Sequence, residues 1–84
     1  MDKVDITLRR MLNMAPERQV SIIARTDGDP TPHLARLTEL GLSVRHKYRL
    51  LPGVSVTGKA SAVLSLLSES WIVKVEEDRP ISTT

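Results

Sequence analysis

The chain has 84 residues, with 12 Lys and Arg against 10 Asp and Glu, a net charge of +2, and 40% hydrophobic and 26% charged residues. That balance fits one small globular domain and excludes collagen-like, low-complexity and disordered chains. A net charge of +2 is weak support for a nucleic-acid partner, no run of about 18 apolar residues offers a membrane span, and zero cysteines exclude a disulfide framework or a thiolate metal site.

Residues 1–18 read as an N-terminal arm, a short helix followed by a linker. Val4, Leu8, Met11 and Leu12 recur at i, i+4, i+7 and i+8, one face of a helix, with Asp2 placed to cap it and Pro16 to end it. The expectation is that this helix packs on its own domain rather than on a partner. The start, Met1-Asp2-Lys3-Val4-Asp5, lacks the apolar stretch of a secretory signal. If Met1 is the native start, a cytoplasmic location is favoured; otherwise the compartment is open.

Residues 19–78 form the compact unit. From Gln19 to Thr26, Val20, Ile22 and Ala24 alternate with Ser21, Ile23 and Arg25, the pattern of a half-buried strand. Asp27-Gly28-Asp29-Pro30 is a turn. Thr31 before Pro32 predicts an N-cap with Pro at the first helical position, and Gly41 a left-handed stop; between them Leu34, Leu37 and Leu40 share one side. Residues 42–50 alternate again: Leu42, Val44, His46, Tyr48 and Leu50 are expected inward, and Ser43, Arg45, Lys47 and Arg49 outward. Leu51-Pro52-Gly53 suits a tight reversal. Val54 and Val56 mark the next strand, and Ala60, Val63, Leu64 and Leu67 a second helix. In the last strand Trp71, Val73 and Val75 are expected inward, with Ile72, Lys74 and Glu76 on the other face. The order is βαββαβ, and right-handed crossovers then give a ferredoxin-like α+β sandwich: a four-stranded antiparallel sheet with both helices on one face.

Function has to come from sites. His33 and His46 are the only histidines; neither has a partner at metal-ligand spacing, no serine has a His–Asp relay, and Gly28 stands alone without a phosphate loop. No enzyme, metal or cofactor is expected. Arg25, Arg45, Lys47, Arg49 and Lys74 form a basic strip on the expected open face, able to meet phosphates. An RNA-binding sheet also needs aromatic side chains there to stack bases, and the alternation turns Tyr48 and Trp71 toward the helices, so a nucleic-acid or regulatory-ligand module using Arg45, Lys47 and Arg49 is the alternative reading. With two aromatics and no disulfide, the core must be built from Leu, Val and Ile, and a domain this small buries barely enough surface to offset chain entropy.

The C-terminal stretch carries most of the functional signal. Trp71-Ile72-Val73-Lys74-Val75-Glu76-Glu77-Asp78 ends in three acids, and residues 79–84, Arg79-Pro80-Ile81-Ser82-Thr83-Thr84, follow as a polar tail. Pro80 lacks an N–H and biases Arg79 toward an extended conformation, so the tail is available for recognition as an extended strand.

Residues 48–56 (Tyr48-Arg49-Leu50-Leu51-Pro52-Gly53-Val54-Ser55-Val56), 62–67 (Ala62-Val63-Leu64-Ser65-Leu66-Leu67) and 73–78 (Val73-Lys74-Val75-Glu76-Glu77-Asp78) resemble the propeptides and propeptide-like inhibitors of subtilisin-type serine proteases. The resemblance covers about residues 20–84 and is most specific at Val75-Glu76-Glu77-Asp78, with Trp71-Ile72 standing where the family pattern has its first Val. It implies an inhibitor or folding chaperone whose open sheet face packs on two parallel surface helices of the protease, with the tail lying product-like in the substrate cleft. On that alignment Thr84 occupies the position just before the scissile bond and Ile81 the position four residues back. Glu76 and Asp78, two apart and so on one face, match the acids that cap the two helix N-termini, where the dipole favours negative charge. The docking face would comprise Arg45, Lys47, Arg49, Ser55, Thr57, Ile72 and Lys74. The expected partner is a subtilisin-like protease, with no membrane contact and a monomer when free.

Overall fold

The structure, a computed structural model, describes residues 3–78. Its elements are α1 (Ile6–Met14), β1 (Gln19–Thr26), a 3-10 turn (Thr31–His33), α2 (Leu34–Glu39), β2 (Ser43–Lys47), β3 (Gly53–Lys59), α3 (Ala60–Leu66) and β4 (Ile72–Glu77). The strands pair antiparallel in the order β2-β3-β1-β4. This is the α+β, ferredoxin-like arrangement: an open four-stranded sheet, here with three helices.

The alternation in β1 and β3 sets the core. Val20, Ile22 and Ala24, together with Val54 and Val56, are buried against Leu37, Leu42, Ala60, Val63 and Leu66 from the helical layer. Along α3 the buried set is Ala60, Val63 and Leu66, whereas Leu64 and Leu67 are only half-buried. Leu66, three residues on from Val63 and so on the same side of the helix, takes the inward position expected of Leu67.

The arm belongs to the same core. Asp5, not Asp2, caps α1: its Oδ1 accepts the Leu8 N–H at 2.8 Å, the three-residue reach of an N-cap. Asp2 lies outside the described residues. Val4, Leu8 and Leu12 are buried and Met11 packs on them. Val4 also forms a parallel bridge with Val75, and the Val75 N–H donates to the Lys3 carbonyl at 2.7 Å. One backbone donor of the β4 edge, the kind of group that would otherwise template foreign pairing, is thereby covered.

The start of α2 differs from expectation. Thr31 is not the cap. Asp29 Oδ1 accepts both the Thr31 N–H at 2.9 Å and the Thr31 hydroxyl at 2.7 Å, and the chain enters through the 3-10 turn that contains Pro32. An Asx turn formed by Asp29 preempts the threonine. The stop is as expected: Gly41 has φ +90°, its N–H donates to the Thr38 carbonyl and the Leu42 N–H to that of Leu37, the Schellman pair of bonds.

Candidate functional site

The face of the sheet away from the helices can be read from the register. Opposite pairs on it are Ser21 with Thr57, Ile23 with Ser55, Arg25 with Gly53, Ile23 with Glu76, and Arg25 with Lys74. Ser43 pairs with Thr57 from the edge strand β2. The centre of this face is therefore a half-buried Ile23 among small side chains, and its rim is charged. Side chains this short leave the backbone surface nearly flat, so another rigid element can approach closely.

Glu76 and Asp78 lie on this face, as their spacing requires. Glu76 stands opposite Ile23, and its Oε1 meets the Lys74 ammonium at 3.1 Å. Beyond the end of β4, the Asp78 N–H donates to the Ser21 carbonyl at 3.0 Å, and its Oδ2 accepts from the Ser55 hydroxyl at 3.1 Å. Ser55, a buried side chain, thus fixes the second carboxylate over the sheet. Glu77, paired with Ile22, has the opposite parity. Two acceptors separated by one residue thus sit where the chain passes into residues 79–84. Those tail residues, Arg79, Pro80, Ile81, Ser82, Thr83 and Thr84, lie outside the described residues.

Two irregularities rearrange the rest of the expected face. In β2 the register shifts between Val44 and His46: Val44 faces Val56, His46 faces Ser55, and Lys47 faces Val54. One extra residue, Arg45, reverses everything after it. His46 is on the open face, not inward. Lys47 is on the helical side, where its ammonium donates to the Thr31 hydroxyl at 2.8 Å, and so it is not part of the open face. Tyr48 is not inward either: its ring lies beside Gly53, where an added Cβ would sit 3.7 Å from Tyr48 Cδ2, and meets the His46 ring edge-on at 4.9 Å. Arg45 and Arg49 are exposed, at the bulge and in the following loop.

The second shift lies opposite Arg25 and Thr26, where Lys74 pairs with Arg25 but Ile72 with Thr26. Ile72 is in the core and not on the open face, and Val73, expected inward, is exposed. Trp71 packs against the core and stacks flat on His33 at 4.1 Å, which accounts for one of the two histidines.

Of the seven expected sheet-face residues, Ser55, Thr57 and Lys74 share the open face, Arg45 and Arg49 are exposed at its β2 end, and Lys47 and Ile72 are elsewhere. Ser21, Ile23, His46 and Tyr48 also lie on this face and are not among the seven expected residues. Ser21 and Ile23 were recoverable from the parity of β1; His46 and Tyr48 were not, because a bulge leaves no mark in an alternating run. At the opposite end Lys59, paired with Gln19, has its pKa raised by a hydrogen bond from its ammonium to Glu17, reinforced by the charge of that carboxylate. The face is thus charge-mixed rather than a continuous basic strip. Among the described residues no group of three or more His, Cys, Asp or Glu side chains could hold a metal. No protein-family model matches the chain, and no curated protein matches it either.

Proposed function

We propose that the chain binds a subtilisin-type serine protease, as an inhibitor or folding chaperone, by laying its open sheet face on the protease and its tail in the substrate cleft. The observation that carries this reading is the placement of the Glu76 and Asp78 carboxylates together on the open face, one residue before the tail. Each carboxylate can accept backbone N–H groups at a helix N-terminus on the partner, where four donors lack intrahelical acceptors and the dipole favours an anion. Ser21 and Thr57, small side chains beside Ile23, leave those helices room to approach. The tail, with Pro80 unable to donate to a sheet, suits extended binding.

The test is a set of inhibition constants against a broad-specificity subtilisin. Replacing a capping side chain by Ala costs about 0.5–2 kcal/mol, so Glu76→Ala with Asp78→Ala should weaken inhibition by about fivefold to several-hundredfold. A chain ending at Asp78 should also lose inhibition while keeping its fold. Glu39→Ala, an exposed acid at the end of α2, should change nothing. Equal constants for the wild type and the Glu76/Asp78 double variant would reject the capping role.

A second reading, a module for single-stranded nucleic acid, is favoured by one observation: Tyr48 and His46 share the open face with Arg25. Aromatic side chains beside cations can stack bases and hold phosphates. The two central strands, however, present Ser21, Ile23, Ser55 and Thr57 there, and two acids flank them. On this reading Tyr48→Ala weakens RNA binding and the Glu76/Asp78 double variant tightens it, the opposite sign from the protease result.

A further inference from the structure

The loop between β2 and β3 carries an apolar tip that the fold does not use. Both ends of this loop are pinned: the Tyr48 N–H donates to the Gly53 carbonyl at 3.0 Å, and the Thr26 N–H to the Pro52 carbonyl at 3.1 Å. Between these anchors Leu50 is 96% exposed and Leu51 59%. In a domain with so small a core, two leucines left outside it contribute nothing to stability. Three cations accompany them in the same stretch, Arg45, Lys47 and Arg49, and the half-buried Tyr48 sits at the base of the loop. Asp29 lines the adjacent hollow with Lys47, Tyr48 and Arg49, so cations outnumber acids around the tip.

We propose that this loop docks the protein on an anionic lipid bilayer, with Leu50 and Leu51 dipping among the acyl chains and Arg45, Lys47 and Arg49 lying at the level of the headgroup phosphates. Three features select a bilayer. The tip is exposed and aliphatic, and nucleic acid offers no apolar site for two leucines. Two side chains bury far less than the roughly 1,200 Å² a stable protein–protein interface needs, whereas a bilayer requires no complementary shape. The flanking charge is cationic, complementary to the anionic leaflet surface, and a tyrosine just behind an apolar tip matches the preference of that amphipathic ring for the interface.

Lying on a membrane differs from spanning one, so the lack of a spanning segment does not bear on this contact. The site is also separate from the protease-docking end. The loop adjoins Gly53, which pairs with Arg25 at one end of the sheet, whereas Asp78 bonds to Ser21 near the other. The inference does not rest on the protease reading. With two leucines and three cations the attachment is weak and reversible, in the range where a second signal is needed for stable anchoring.

The experiment is co-sedimentation of the full chain with vesicles of phosphatidylcholine alone or of equal parts phosphatidylcholine and phosphatidylserine. Wild type should partition to the anionic vesicles and be released by salt. Each cation near the surface is worth about fivefold in partition, so Arg45→Gln with Arg49→Gln should lower it about 25-fold. Leu50→Ser with Leu51→Ser should lower it at least about tenfold. Far-UV circular dichroism and the urea midpoint check that the variants fold, and Leu50→Ser alone, at a fully exposed side chain, provides a variant that cannot disturb the core. The proposal is overturned if wild type stays in the supernatant, if it partitions equally to both vesicle types, or if the leucine variants partition like wild type. Self-association that disappears in Leu50→Ser, with no vesicle binding by wild type, would assign the tip to a second copy of the chain and equally overturn it.

Discussion

Leu12→Ala measures how much of the domain's stability resides in the N-terminal arm. Leu12 is fully buried (0% exposed), and it joins Val4 and Leu8 in the core beneath α3. The arm is also tied to the domain through its backbone and through Lys3. Ala60 donates to the Arg18 carbonyl at 2.8 Å and Ser61 to that of Pro16 at 2.9 Å, while the Lys3 ammonium bonds the Leu67 and Glu69 carbonyls at the end of α3. A leucine in such a site cannot be truncated without leaving a cavity, and Leu→Ala changes of this kind cost about 2.7–5.0 kcal/mol. At roughly 0.05–0.15 kcal/mol per residue, the whole chain has about 4–13 kcal/mol to lose. One methyl-for-isobutyl exchange in the arm should therefore remove about a fifth or more of the total. In urea, with a slope of about 1–1.5 kcal/mol/M for a domain this small, the midpoint should fall by about 2–5 M. Ile6→Ala is the control: it lies in the same helix but is 64% exposed, and should stay within about 0.5 kcal/mol of wild type. Equal midpoints for Leu12→Ala and Ile6→Ala would refute the packing of α1 on the core and return the arm to the status of a separate element.

Two further outcomes follow from local geometry. At Gly58 an added Cβ would lie 2.7 Å from Leu42 Cδ2 and 3.0 Å from the Gly41 carbonyl oxygen, so Gly58→Ala should destabilise by about 1–3 kcal/mol in a denaturant titration, despite the better strand propensity of alanine. The Asp29 carboxyl is held below the usual carboxylate range first by the Thr31 N–H, then by the Thr31 hydroxyl, with a smaller pull from the Lys47 ammonium; its contribution is therefore complete above the unfolded pKa of about 3.9 and is lost as pH falls through the lower folded value. Wild type should be more stable than Asp29→Ala at neutral pH, and the gap should close in acid; a gap that is constant with pH would refute the assignment.

How far the fold was legible in the sequence depends on where each residue sits relative to an irregularity. In β1 and β3, the central strands, alternation alone identified Val20, Ile22, Ala24, Val54 and Val56 as core, because each strand is held on both sides and has no freedom to slip. Gly41 marked the end of its helix because only a residue without Cβ adopts φ near +90° there without strain. The edge strands were another matter. Residues 42–50 alternate without interruption, yet the chain inserts Arg45 and reverses every later side chain; an edge strand has ladder bonds on one side only and accommodates the extra residue at little cost. Thr31 failed for a different reason: its hydroxyl donates to the Asp29 carboxylate and accepts from the Lys47 ammonium, and so is engaged away from the helix N–H groups.

The same distinction decides which side chains of the candidate site follow simple alternation. In β4 the shift falls between the pairs Thr26–Ile72 and Arg25–Lys74, so everything from Lys74 onward follows the regular register of β1. Glu76 and Asp78 were therefore placed correctly even though Ile72 and Val73, a few residues earlier, were not. The basic residues of β2 lie beyond their bulge, and it removes Lys47 from the face and brings His46 and Tyr48 onto it. The open face is consequently polarised along the order of its strands, with carboxylates at the β4 side and an aromatic pair with exposed arginines at the β2 side. A ligand of a single charge sign would meet repulsion at one of those sides. A protein surface, which can present helix N-termini to the acids and acceptors to the arginines, meets none, and that polarity is the physical reason to prefer a protein partner over a polyanion for this face.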